Sequence, residues 1–273
     1  MSINKWAALV IVIVFAALAW WYYAEYAKAP TLPAPAGYQD ATYTIDGAQV
    51  TLVGGTATTP AAPGSASQVT TRYFGNEANG DLNGDGVPDE AFVLTQEGGG
   101  SGTFYYVAAA LQGADGAYTG TNAILLGDRI APQTTQIKNG IVIANFADRA
   151  PGDPMTSQPS VGVSKYLELR AGQLLEVPAP IADVSYACDA GKTIGASYFE
   201  GSTTPGQNGG PPTPGGSVGI SLSDGRSMSL PQTISADGAR YANQDESFIF
   251  WSKGNGAFVM EAGTTTFANC TQQ

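Results

Sequence analysis

The chain contains no histidine, and basic residues are scarce: 12 Lys and Arg stand against 23 Asp and Glu in 273 residues, for a formal charge of −11. The missing imidazole excludes Ser-His-Asp and Cys-His nucleophiles, His-ligated zinc and ordinary imidazole acid–base chemistry. Catalysis would fall to carboxylates, Lys or Tyr. No acid pair stands at a recognisable motif, Glu77 and Glu246 included, so the chain reads as something other than an enzyme. The shortage of clustered Lys and Arg excludes a nucleic-acid partner, because phosphate backbones are bound by displacing their counterions with cations. The same acidity favours encounter with a basic protein.

Cysteine is nearly absent too. Cys188 and Cys270 bracket the C-terminal segment. An exported location would make them a disulfide, and a pair of free buried thiols is the alternative. Charged residues are only 13% of the chain, and Gly, Pro, Ser and Thr crowd the gaps between short apolar runs. That composition suits an extracytoplasmic all-β protein.

One apolar run is long. Trp6 to Tyr23 carries no charge, and as a helix it would reach about 27 Å, close to the hydrocarbon thickness of a bilayer. Lys5 precedes it and Trp20, Trp21, Tyr22 and Tyr23 end it, which fits an N-in anchor with an aromatic belt on the far side. The reading is a cytoplasmic tail at 1–5, a transmembrane anchor at 6–23 and a folded part outside the cytoplasm, in the periplasm or at the cell surface. A cleaved signal peptide ending at Ala17-Leu18-Ala19 is the alternative. Residues 24–39 form a linker stiffened by Pro30, Pro33 and Pro35. Two further Pro- and Gly-rich stretches, Gly54 to Ser67 and Glu200 to Gly216, read as linker or loop.

Residues 40–180 show short runs rich in β-branched and aromatic residues, such as AFVLT, TFYYVAAAL, IVIANF and VGVSKYLEL, with Gly, Asp or Pro in every gap. This cadence predicts an antiparallel β-domain. Within it lies Asp81-Leu82-Asn83-Gly84-Asp85-Gly86-Val87-Pro88-Asp89. Oxygen side chains at alternate positions with a glycine at the sharp turn can wrap a hard cation, so Asp81, Asn83, Asp85 and Asp89 are expected to hold a structural Ca²⁺. A metal-free Asx-rich turn is the alternative. Phe92 stands where an EF-hand needs its bidentate Glu, and the loop resembles instead the shorter calcium loops of FG-GAP and related β-repeat proteins.

Residues 182–273 read as a separate small β-unit built from VSYAC, TIGASYF, SVGISL, SMSLPQT, SFIFWSK, GAFVME and TTTFANC. Tyr186 and Cys188, then Ser235 to Tyr241 (SADGARY), then Phe250 to Ala257 (FWSKGNGA) and Cys270 follow one another in an order and spacing that resemble the membrane-bound lysozyme inhibitors of c-type lysozyme, the MliC family. The resemblance covers about the last 90 residues. It implies an eight-stranded antiparallel barrel with a disulfide, whose two motif loops enter the cleft of a c-type lysozyme. Carried over, the binding residues are Ser235, Asp237, Gly238, Ala239, Arg240, Tyr241, Trp251, Lys253 and Gly254. Lys253 would be the main charge against the catalytic carboxylates, with Arg240 and Tyr241 shaping the first loop. The chain departs from the family at Asp237, which stands where the family has a serine. A carboxylate there repels an acid pair unless it is protonated or turned towards Arg240. The rival reading is a binding or adhesion module that uses the same barrel on a glycan or envelope protein.

Overall fold

Two stretches of apolar residues that do not alternate, Ala91 to Leu94 and Tyr106 to Ala110, mark the centre of the structure. Every residue in both is buried, as happens when a strand is covered on both faces. The computed structural model describes residues 37–206 and 210–273, which belong to one compact unit, Ala36–Gln273. The anchor expected at Trp6 to Tyr23 and most of the linker after it lie outside the described residues. Among the described residues no helix is long and apolar enough to cross a membrane.

The two stretches sit in β5 (Asp89–Glu97) and β6 (Phe104–Gln112) of a sheet that also holds β3 (Thr56–Pro60), β4 (Gln68–Gly80), β7 (Tyr118–Gly120) and β8 (Ile124–Asp128). Its order is β3-β4-β5-β6-β7, with β8 also pairing β6. The hairpin β1 (Thr42–Ile45) and β2 (Ala48–Thr51) covers one face, where Tyr43, Ile45, Val50 and Leu52 meet Phe92, Leu94 and Tyr106. The other face packs on β9 (Ala131–Lys138), β10 (Ile141–Asp148), β11 (Val161–Arg170) and β12 (Gln173–Val177), ordered β12-β11-β10-β9. Val93, Val107 and Ala109 there meet Val142, Phe146, Leu167 and Leu174.

The remaining strands close a barrel: β13 (Ala182–Ala187), β14 (Thr193–Phe199), β15 (Ser217–Leu222), β16 (Ser227–Thr233), β17 (Ala239–Ala242), β18 (Phe248–Lys253), β19 (Gly256–Glu261) and β20 (Thr264–Gln272). The eight strands are antiparallel, β13 meets β20 through Tyr186↔Gln272 and Ala187↔Thr271, and closure leaves no edge strand. Inward residues alternate along each strand, so Val218, Ile220, Leu230, Phe250, Val259 and Phe267 form its own core. Cys188 and Cys270 are bonded and tie the segment after the first strand to the last.

Barrel and middle sheets meet along one seam on β13, β14, β15 and β16. The β9–β10 turn presses into it: the Asn139 amide donates to Ser197 Oγ at 2.9 Å and accepts from Ser221 Oγ at 2.8 Å. Lys138 pairs with Asp183 at 2.7 Å. Glycine makes the approach possible. A Cβ on Gly140, whose φ is 70°, would lie 2.4 Å from the Met228 amide nitrogen, and one on Gly219 would lie 2.4 Å from the Asn139 carbonyl oxygen. The stretch expected to be linker from Gly54 to Ser67 departs from that reading, because Thr56–Pro60 pairs with β4 as an edge strand, a position that tolerates Pro60.

Candidate functional site

Strand register brings the two motif loops side by side. Ala239 lies opposite Ser252, Arg240 opposite Trp251 and Tyr241 opposite Phe250. Strand alternation then decides each role. Tyr241 and Phe250 point into the barrel and stack with ring centres 6.1 Å apart. Tyr241 is therefore a core residue, and burial, then the neighbouring Tyr186, raises its phenol to about 12. Arg240 and Trp251 point outward. Arg240 forks onto both Glu246 oxygens at 3.0 and 2.8 Å and onto Thr233 Oγ1 at 2.8 Å, and this bidentate grip holds the Glu246 carboxyl below its usual range.

Asp237 does not turn towards Arg240. Its carboxylate takes the Lys253 ammonium, and that hydrogen bond holds its pKa below the ordinary value. The main chain beneath is pinned twice: Trp251 Nε1 donates to the Asp237 carbonyl at 3.0 Å and Ser235 Oγ donates to the same oxygen at 2.6 Å. Gly238 follows at φ 68°, and a Cβ on it would sit 2.6 Å from the Ser252 carbonyl oxygen. The first loop thus lies against the second with no room for a larger residue. Gly254, φ 55°, turns the chain from β18 into β19. Lys253 and Asp237 remain open to solvent, with side-chain exposures of 68% and 63%.

A groove of about 800 Å³ opens beside this pair and runs along the outer wall of β18, β19 and β20. Trp251, Phe258 and Met260 line it, and the Trp251 and Phe258 rings are 5.7 Å apart. A bulge makes the opening: Ala257 pairs with Cys270 but Val259 with Phe267, and Asn269 takes φ 49°. The alternation in GAFVME signals that Phe258 and Met260 face outward, but not that a bulge would clear space beside them.

The 81–89 loop lies elsewhere, in the seam. Asp81 Oδ1 accepts the amides of Asn83 and Gly84, and Oδ2 accepts those of Gly86 and, across the seam, Ser227. Ser227 Oγ donates back to the Asp81 carbonyl. Asp89 is buried and turns inward, accepting the amides of Leu82 and Gln112, both at 2.9 Å. Burial outweighs those bonds and raises its carboxyl to about 6. Asp85, exposed, accepts only the Val87 amide and the Asn83 side chain. Each of Asp81, Asn83, Asp85 and Asp89 accepts a main-chain amide of the loop in this arrangement. Among the described residues no group of three or more His, Cys, Asp or Glu side chains is placed to hold a metal ion.

The family model described as "MliC: Membrane-bound lysozyme-inhibitor of c-type lysozyme" matches residues 186–267, which lie within the barrel segment. A curated protein from Yersinia enterocolitica serotype O:8 / biotype 1B, "Membrane-bound lysozyme inhibitor of C-type lysozyme", is 53% identical over 36 residues. The alignment covers 13% of this chain and 29% of that relative, so the chain spans less than a third of the length of the curated protein it matches. No solved structure matches the chain.

Proposed function

We propose that the barrel is an inhibitor of c-type lysozyme that blocks the catalytic cleft with the loops at 235–241 and 251–254. One observation carries this reading: an exposed ammonium, Lys253, stands at the tip of two loops locked onto a rigid barrel, inside the segment that matches the inhibitor family. Glycosidase clefts hold a pair of carboxyl groups, one of which must be protonated to act as general acid. An ammonium set against them pairs with the ionised member and fills the space a sugar would take. The acidic remainder of the surface draws in a basic enzyme. The test is the loss of lysozyme activity on cell walls in the presence of the full-length chain, and its recovery with Lys253→Ala. Full inhibition by that variant would refute the reading.

The membrane anchor at Trp6 to Tyr23 and an extracytoplasmic location belong to the same proposal. The uncharged run with its aromatic end supports the first, and the Cys188–Cys270 disulfide supports the second. Calcium at the 81–89 loop is a separate proposal supported by the residue pattern alone. It requires Tm to rise on adding calcium and fall on adding a chelator. The groove between Trp251 and Phe258 favours a second reading, a binding module that stacks a sugar ring against those aromatics. Retention on peptidoglycan that survives Lys253→Ala and fails in Trp251→Ala would establish it.

A further inference from the structure

We infer that the Asp237–Lys253 pair recognises a carboxyl dyad in which one acid is protonated and the other ionised, so that Asp237 makes binding depend on the partner's proton. The inference rests on the cleft-blocking reading and sharpens it.

The tip of the loop pair is a zwitterion and carries no net charge. Lys253 has three N–H donors and an ionised carboxylate offers about four lone-pair sites. Their mutual bond leaves donors and acceptors on both, and both side chains are open to solvent. The neighbouring ion pair cannot take this part: Arg240 spends its fork on Glu246 and Thr233 and its side chain is only 14% exposed. Around Asp237 the charged group is Lys253, from the end of β18. Trp251 on the same strand donates to its carbonyl, and Ser235 on its own loop donates to that carbonyl and accepts its amide, so both bond its main chain.

Against two ionised carboxylates, the attraction of Lys253 is offset by the repulsion of Asp237. Against one ionised and one protonated acid, Lys253 meets the charge and Asp237 accepts the O–H. A glycosidase cleft is in this second state whenever its general acid holds its proton, and such acids titrate near pH 6 in clefts that raise them. The pinned main chain at Asp237 and the close fit at Gly238 fix the point from which the acceptor projects, and its bond to Lys253 keeps the two side chains together.

The linkage has a definite sign. Facing Asp237 raises the pKa of the partner's acid in the complex, so affinity is fully present below that acid's free pKa and declines above it. The loss is up to about tenfold per pH unit for one proton held in the complex.

The experiment measures Kd between the full-length chain and a purified c-type lysozyme from pH 5 to pH 8 at fixed ionic strength, with Asp237→Asn, Asp237→Ser and Lys253→Ala alongside. Expected are a flat Kd below about pH 6 and progressive weakening above it, to at least tenfold at pH 8. Both Asp237 variants should lose most of that slope and bind more tightly than the parent at pH 8. A parent affinity that is the same at pH 5 and pH 8, or a slope retained in both Asp237 variants, overturns the inference and leaves cleft blocking intact if Lys253→Ala abolishes binding. No binding by the folded, disulfide-bonded parent at pH 5 overturns both.

Discussion

Replacing Asp81 by Ala strands one buried and one half-buried amide and leaves two that water can reach. Gly84 and Ser227 are the first pair, half-buried and buried, and Asn83 and Gly86 are exposed. A buried donor without a partner costs about 1–3 kcal/mol, so Asp81→Ala should destabilise the protein by about 3 kcal/mol. In a unit of this size that corresponds to a fall in Tm of about 6–12 °C. Asp85→Ala removes only exposed contacts with Val87 and Asn83 and should cost less than about 1 kcal/mol. Calorimetry of both variants, each with calcium and with a chelator, separates two roles. If the loop works as a hydrogen-bonded clasp, Asp81→Ala is far worse than Asp85→Ala in either buffer. If it works as a calcium cage, both variants abolish a calcium-dependent rise in Tm. An Asp81→Ala protein that melts within a degree of the parent would refute the clasp.

Other outcomes follow from burial and connectivity. Asp89 carries a folded pKa of about 6, raised chiefly by burial, so its contribution to stability is complete below about pH 4 and is lost as pH rises through about 6. The loss is roughly 3 kcal/mol. Glu168, also raised by burial, acts in the same direction. Urea midpoints should therefore decline from pH 5 to pH 7 in the parent and decline less in Asp89→Asn, where Glu168 alone remains; a decline in Asp89→Asn as steep as in the parent would contradict this. Phe250→Ala empties the centre of the barrel, where the ring is fully buried, and should cost about 3–5 kcal/mol by denaturant titration. Reducing the Cys188–Cys270 bond, which spans 82 residues, should cost about 4–5 kcal/mol on the chain-entropy model. Unchanged guanidinium midpoints after verified reduction would count against that model here.

Much of the barrel was readable in the sequence because inward and outward residues alternate cleanly in SVGISL, SFIFWSK and GAFVME. Strand β17, ARYA, escaped a strand reading because it is four residues long and carries a charge. In the middle sheets β5 and β6 stand out as apolar runs, whereas β4, QVTTRYFGNEANG, does not. Its alternation is broken where the pairing shifts between Tyr73 and Ala78, and its polar residues are held by neighbours on both sides. Lys253 and Asp237 were conspicuous in their motifs. Their mutual bond was not, because it depends on the β17–β18 register, and chain proximity pointed Asp237 to Arg240 instead. The docking of Asp81 onto Ser227 joins residues 146 apart, and a local pattern carries no record of such a partner.

The glycine-lined seam has a consequence for association. Gly140 and Gly219 let two backbones approach until neither has room for a methyl group, so the barrel has no hinge against the middle sheets. Tandem domains on a flexible joint lose orientational freedom when one of them docks, and that loss is subtracted from affinity. Here it has already been met during folding. Whatever binds the barrel meets a single body in place of two jointed ones.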